Sequence, residues 1–177
     1  MKKKPIYLWI LLVLSALISA SSLFGILGPV PSKEVLRANL SNSGSLTAQQ
    51  IEDTVNYTYQ VTASSHSIFN VVLIVLSAIL VVVAFVFLVR KNVQFANYAY
   101  LGYLLLAIVG LVYSFMNIQD AIQLIKDDTL GLGIGTLAKG TVILFMIINV
   151  LFLALVLYKM WRQQKDLAEE AEAEEVA

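Results

Sequence analysis

Four uninterrupted apolar runs dominate the chain: Ile6 to Leu27, Ile68 to Val89, Phe95 to Met116 and Thr141 to Tyr158, none of which contains Asp, Glu, Lys, Arg or His. A helix needs about 20 apolar residues to cross a hydrocarbon layer about 30 Å thick, and each run meets or nearly meets that length. Unpaired backbone groups are intolerable in lipid, and the runs lack the alternation that a barrel strand requires. The pattern therefore predicts an all-α polytopic membrane protein, a four-transmembrane-helix bundle forming one membrane domain over residues 1–177. Its spans lie at 6–27, 68–89, 95–116 and 141–158.

The polar segments between the runs carry weaker signals. In the first long loop, 28–67, Pro29 and Pro31 stop the first helix and hold an extended exit. The stretch "SNSGS", 41–45, reads as a flexible joint. Thr47 followed by Gln50 forms a capping box, and Ile51, Val55 and Tyr59 give the ensuing helix one apolar stripe. The loop 90–94 is short. In the second long loop, 117–140, Ile118, Ile122 and Ile125 share one face of a short interfacial helix. A glycine-rich stretch follows it, "DDTLGLGIGTLAKGT". The tail 159–177 is rich in helix formers and turns from basic to acidic, as expected of a solvated helix.

Charge orients this pattern. Lys2, Lys3, Lys4, Arg90, Lys91, Lys159, Arg162 and Lys165 fall on one side of the spans, against Lys33, Arg37, Lys126 and Lys139 on the other. The richer side is expected in the cytoplasm, which puts both termini inside and both long loops outside. Tyr7, Trp9, Tyr98, Tyr100, Tyr158 and Trp161 cluster at the same inner boundary, where amphipathic rings prefer to sit. The lysine-led start resembles a signal peptide with Ser19 and Ser21 at its small-residue site. Apolar character continues to Pro29, however, so a retained span is expected. That start points to a bacterial plasma membrane.

Composition narrows the chemistry. The chain is 59% apolar and 14% charged, has no cysteine and one histidine, and carries no formal net charge. Disulfide, thiolate and sulfur-ligand chemistry are excluded, and there is no electrostatic case for nucleic acid. The glycine stretch invites comparison with a phosphate-binding loop, yet Lys139 precedes Gly140 instead of following it, so the spacing fails and no nucleotide is expected. The expected reading is a flexible apolar segment at the lipid surface. A lone His66 cannot build a metal site, and Asn56-Tyr57-Thr58 is a short glycosylation pattern that is frequent by chance. No cofactor and no catalytic group is expected.

No span holds an ionisable side chain, which disfavours an ion-coupled transporter or an intramembrane hydrolase acting alone. The most deeply placed strong polar group is Asn149, whose amide should find a partner on another helix. Small residues mark packing faces. Ala96, Ala99, Tyr103, Ala107, Gly110 and Ser114 fall on one face at about 100° per residue, and Ser15, Ser19 and Ser22 share a face of the first span. The candidate helix-packing or partner face therefore comprises Ser15, Ser19, Ser22, Ala99, Tyr103, Ala107, Gly110, Ser114 and Asn149. The function expected is that of a non-enzymatic accessory or scaffold subunit of an envelope membrane complex, in contact with the bilayer and with other membrane proteins or itself. The alternative is a transport or channel component whose pathway forms only in an oligomer or beside another subunit. An enzyme would have to draw its groups from the loops, from His66, Asp53 or Asp120.

Overall fold

A computed structural model describes residues 5–42 and 46–175. The described residues form six helices, α1 (Ile6–Leu27), α2 (Lys33–Ser41), α3 (Ala48–Ser65), α4 (Ile68–Val89), α5 (Val93–Ile122) and α6 (Asp128–Glu175). Helices α1, α4, α5 and α6 are each long and apolar enough to cross a membrane. α1 packs on α4, α4 on α5 and α5 on α6, while α1 and α6, the two ends of this row, have no comparable interface. α2 and α3 lie together at one end of the row, here the cap end; the other end, with Arg90, Lys91 and Lys159, is the basic end.

Local signals fix most of the helix starts. Thr47 and Gln50 form the expected capping box of α3, with Thr47 Oγ1 accepting the Gln50 amide and Gln50 Oε1 accepting the Thr47 amide. Ser67 and Asn92 cap α4 and α5 through the amides of Asn70 and Phe95. Asn70 Nδ2 also donates to the Ser65 carbonyl (2.7 Å), which ties α3 to the start of α4. Between α4 and α5, Lys91 takes a left-handed conformation (φ 60°) and the Asn92 amide reaches back to the Phe87 carbonyl, so the chain reverses in three residues. Of the "SNSGS" joint, residues 43–45 lie outside the described residues.

The tightest packing is at the basic end. Leu8, Leu12, Ala84, Ala96, Tyr100, Leu104 and Val156 are fully covered and form one cluster fed by α1, α4, α5 and α6. Between helices of such apolarity, contact gains little from water exclusion, and cohesion rests on dispersion and hydrogen bonds. Tyr100 departs from the expected aromatic belt. It is buried in this cluster, stacked on Tyr103 with ring centroids 5.5 Å apart, because its position on α5 turns it toward α1. Trp9, Tyr98, Tyr158 and Trp161 do remain exposed.

The cap end is held by polar groups. Asp53, 1% exposed, accepts the backbone amides of Lys126 (2.9 Å) and Asp127 (3.1 Å) and the Gln49 side-chain amide (2.7 Å). Asp127 in turn caps α6 through the Leu130 amide (2.9 Å) and accepts Gln50 Nε2 (3.0 Å). α3 is thereby latched to the α5–α6 turn. Burial alone raises the pKa of Asp53, but the three donors outweigh it and hold the carboxyl below its ordinary range. Hydrogen bonding from Leu130 and Gln50 lowers that of Asp127. Val55, the middle of the expected stripe on α3, is fully buried. Arg37 pairs with Glu52 (2.7 Å) and Lys33 donates to Asn56 (2.7 Å), which docks α2 on α3 and occupies the asparagine of the glycosylation pattern.

The segment 117–140 differs from the expected loop. Its first part continues α5 to Ile122 instead of forming a separate helix, and the glycine stretch is the first turns of α6, about four of them. The glycines serve close approach. A Cβ at Gly135 would stand 3.1 Å from Ile122 Cδ1, and one at Gly131 would stand 3.5 Å from Ile125 Cγ2. Four-residue spacing puts both on the same side of α6, where a side chain at Gly135 would press on Ile122 of α5 and one at Gly131 would stand in ordinary contact with the turn.

Two outcomes follow. Gly135→Leu should lower the thermal midpoint of the purified protein by overpacking worth about 1–3 kcal/mol, whereas Gly133→Leu, beside open space, should leave it unchanged or raised. Because the Asp53 pKa is lowered by folding, its contribution is complete above the ordinary carboxylate range and is lost as pH falls through the lowered value. Melting curves from pH 7 to pH 2 should therefore show an acid-side loss of stability in the wild type that is smaller in Asp53→Asn, with the variant already less stable at pH 7.

Candidate functional site in the cavity between the long helices

The packed cluster at the basic end does not continue through the bundle. Toward the cap end the helices enclose a cavity of about 490 Å³ bounded by α1, α4, α5, α6 and the C-terminal turn of α3. That volume is within the range of small-molecule sites, about 300–1,000 Å³. The expected small and polar faces meet around it. Ser19 and Ser22 of α1, Tyr103, Ala107, Gly110 and Ser114 of α5, and Asn149 of α6 all line its wall.

Two of the expected face residues lie elsewhere. Ser15 sits below the floor, where its hydroxyl bonds Tyr100 Oη at 3.0 Å and both groups are buried. Ala99 packs against the cluster at the basic end. Tyr7 donates to Asn97 Oδ1 (2.9 Å) one turn nearer that end. These two bonds join α1 directly to α5 and seal the floor of the cavity. Asn97 Nδ2 is the one buried side-chain polar atom among the described residues without a partner.

Asn149 does not reach another helix. Its side-chain amide donates to the Phe145 carbonyl of its own helix (2.8 Å), so the expected bond between helices is absent and the residue borders the void instead. Ser22 likewise donates to the Ile18 carbonyl of its own turn (3.0 Å). This back-bonding satisfies a hydroxyl without tying helices together.

Ser77, Asn70, His66, Ser65 and Thr62, none of which the sequence assigns to the packing face, also line the cavity. Ser77 is the only hydroxyl in the apolar run of α4, and that isolation was the available signal. His66 forms the rim. Its Nδ1 faces the Thr62 carbonyl (2.9 Å) and its Nε2 faces the Gly28 carbonyl (2.9 Å), at the C-terminal ends of α3 and α1. A neutral ring donates to only one of these carbonyls, whereas the imidazolium donates to both. Ser67 Oγ and Tyr113 Oη, 2.8 Å apart, join α4 to α5 just below this rim.

The depth of the polar positions follows from that bond. Ser77 and Tyr103 each lie ten residues from it along their own helices, about 15 Å, so they sit at one level at the bottom of the cavity. Between that level and the rim the wall is mainly Leu73, Ile74, Leu106, Leu111 and Phe145. Among the described residues no Lys, Arg, Asp or Glu lines the cavity, which offers hydroxyl and amide groups on an apolar wall, with the His66 ring at its rim.

A second hollow of about 380 Å³ lies beside Gly131 and Gly135. Asp127 and Asp128 stand in its wall, and the Leu130 amide at the start of α6 is already taken by Asp127. Lys139 shares that wall, but two carboxylates and a capped helix start outweigh one cation and disfavour a phosphate beside the glycine stretch.

The seal of the floor can be measured. Ser15→Ala should cost about 1 kcal/mol by leaving the Tyr100 hydroxyl buried and unpaired, and adding Tyr100→Phe should restore part of it. A double-mutant cycle on thermal or denaturant stability checks the coupling.

No curated protein and no solved structure matches the chain. The family model described as "Domain of unknown function (DUF8777)" matches residues 1–169, nearly the whole of this bundle with its cavity and cap, and the chain belongs to that family.

Proposed function

We propose that the protein is a non-enzymatic, multi-pass component of the plasma membrane, with both termini cytoplasmic, that acts through contacts as an accessory subunit of an envelope complex. The observation that carries this reading is the position of α6. It is the end of the row, packed against α5 along one side, and it leaves Leu144, Ile147, Val150, Leu151, Leu155 and Leu157 exposed around its apolar section. The same helix runs on without a break from Tyr158 to Glu175, so one continuous element joins a free apolar surface to a charged arm. A helix apolar all round suits lipid or another helix, and its arm suits a partner at the membrane face.

This orientation is read from Arg90, Lys91, Lys159, Arg162 and Lys165 at the basic end beside the arm, which favour the cytoplasmic side. The cap of α2 and α3 then faces outward. Its latch to the α5–α6 turn supports a preformed outer surface, with Glu34, Arg37 and Glu52 presented to solvent.

A second reading is a transport component, favoured by the meeting of hydroxyl and amide groups from four helices in one cavity. The Ser15–Tyr100 bond and the cluster below it close that cavity at the basic end. A pathway would have to open there, in an oligomer or beside another subunit. Asn149→Leu separates the two readings: loss of assembly supports packing, and intact assembly with lost flux supports a pathway.

The native chain has no cysteine, so orientation is directly measurable. Asn42→Cys should react with an impermeant maleimide in intact cells and Gln164→Cys only after permeabilisation; the reverse pattern overturns the orientation. Purification of the full chain in mild detergent should recover a stoichiometric membrane partner that is lost when the chain is cut after Arg162. Recovery of the wild type alone, as a monomer, overturns the accessory role.

A further inference from the structure

The cavity is built as a site in its own right, whichever role the whole protein plays. Ser19 is 8% exposed and Tyr103 5% exposed, both line the cavity, and neither hydroxyl has a hydrogen-bond partner among the described residues. Ser77 lies at the same level, also unpartnered. Polar groups held in an apolar bundle are normally paired within it, because an unmade hydrogen bond is costly there. Ser15, one turn below Ser19, shows the paired arrangement with Tyr100, whereas the hydroxyls of Ser19, Ser77 and Tyr103 open on the cavity without a partner.

The occupant must be uncharged. Among the described residues His66 is the one titratable ring besides Tyr103 on the wall, and its two nitrogens face the Thr62 and Gly28 carbonyls at the rim. On the neighbouring cap Lys33 is engaged by Asn56 and the Tyr59 ring, and Arg37 by Glu52, so no cation is turned toward the cavity for a carboxylate or phosphate. A spanning helix about 10 Å wide and 30 Å long fills roughly 2,400 Å³, more than the cavity holds, so a smaller occupant fits better.

Access is sideways. α1 and α6 both border the cavity but have no packed interface, and Ile18 and Phe145 on its two lips are 48% and 42% exposed. At the basic end these helices draw together, with Lys159 Nζ 5.8 Å from the centroid of the Tyr7 ring. The gap therefore widens toward the cap end and opens on the surface that the apolar residues give to lipid.

We infer that this cavity binds the uncharged, hydroxyl- or carbonyl-bearing head of a single-chain lipid, taken from the bilayer between α1 and α6. The head's oxygens meet the hydroxyls of Ser19, Ser77 and Tyr103, and the chain lies outward along Ile18 and Phe145 into the membrane. The head's desolvation is offset by these bonds, as each neutral hydrogen bond in place of an unpaired group favours binding about fivefold.

Radiolabelled 1-oleoylglycerol, added to the full chain in detergent, should bind saturably at one molecule per chain, with sodium oleate at pH 9 and octadecane failing to displace it. Gly110→Leu fills the cavity, and because a Cβ at Gly110 meets nothing within 4 Å, the fold should hold while binding falls at least tenfold. Tyr103→Phe, which removes one hydroxyl and no volume, should weaken binding about fivefold with an unchanged melting midpoint. Failure of 1-oleoylglycerol to bind saturably overturns the inference. So does wild-type affinity in both variants, or equal displacement by oleate.

Discussion

Two hydrogen bonds across the bundle, Ser15 to Tyr100 and Tyr7 to Asn97, tie α1 to α5 at the basic end, and the form of the interior depends on them. Short connections bring α4 to α5 and α5 to α6, whereas α1, forty residues upstream of α4, meets α5 only if something draws it there. Here that something is a pair of polar contacts and the aliphatic cluster around them. At the cap end the tie between α1 and its neighbours is a different kind, the Gly28 carbonyl held by His66 on the chain between α3 and α4. One end is closed by direct packing and the other is bridged across a space. The cavity is the result.

The polar latch of the cap completes the frame. Asp53 gathers three donors, two of them from the α5–α6 turn, and α3 is thereby fixed above the long helices without a large apolar interface. The glycines of α6 allow that turn to stay tight, since Gly131 and Gly135 admit Ile125 and Ile122 against the helix backbone. Polar bonds fix the position of the cap, and absent side chains fix the approach of α5 to α6.

Much of this was legible in the sequence, for reasons that separate cleanly. The runs Ile6 to Leu27 and Ile68 to Val89 coincide with α1 and α4 because apolar length and helix length end together there, at Gly28 and at Arg90. α5 and α6 outrun their apolar sections, at the cap end because α3 and the turn between them give support, and beyond Tyr158 because the tail is rich in helix formers. The glycine stretch looked like a loop because each glycine costs about 1 kcal/mol in a helix, and tertiary contact with Ile122 and Ile125 overrides that preference. The small faces of α1 and α5 follow from helical periodicity. What they surround does not, because periodicity gives the direction of a side chain but not the distance to the next helix. Tyr100 shows the same limit: its height matches an aromatic belt, and only its partner Ser15 reveals that it points inward.

One face of α4 passes from open cavity to closed packing within two turns. Ser77 and Ala84 lie seven residues apart on the same face of α4, Ser77 on the cavity wall and Ala84 fully buried in the cluster. The direct measurement is the rate at which Ser77→Cys and Ala84→Cys react with a small neutral thiol reagent in native membranes. Reaction at least tenfold faster at position 77 is the result this architecture predicts, and equal rates at the two positions would contradict it.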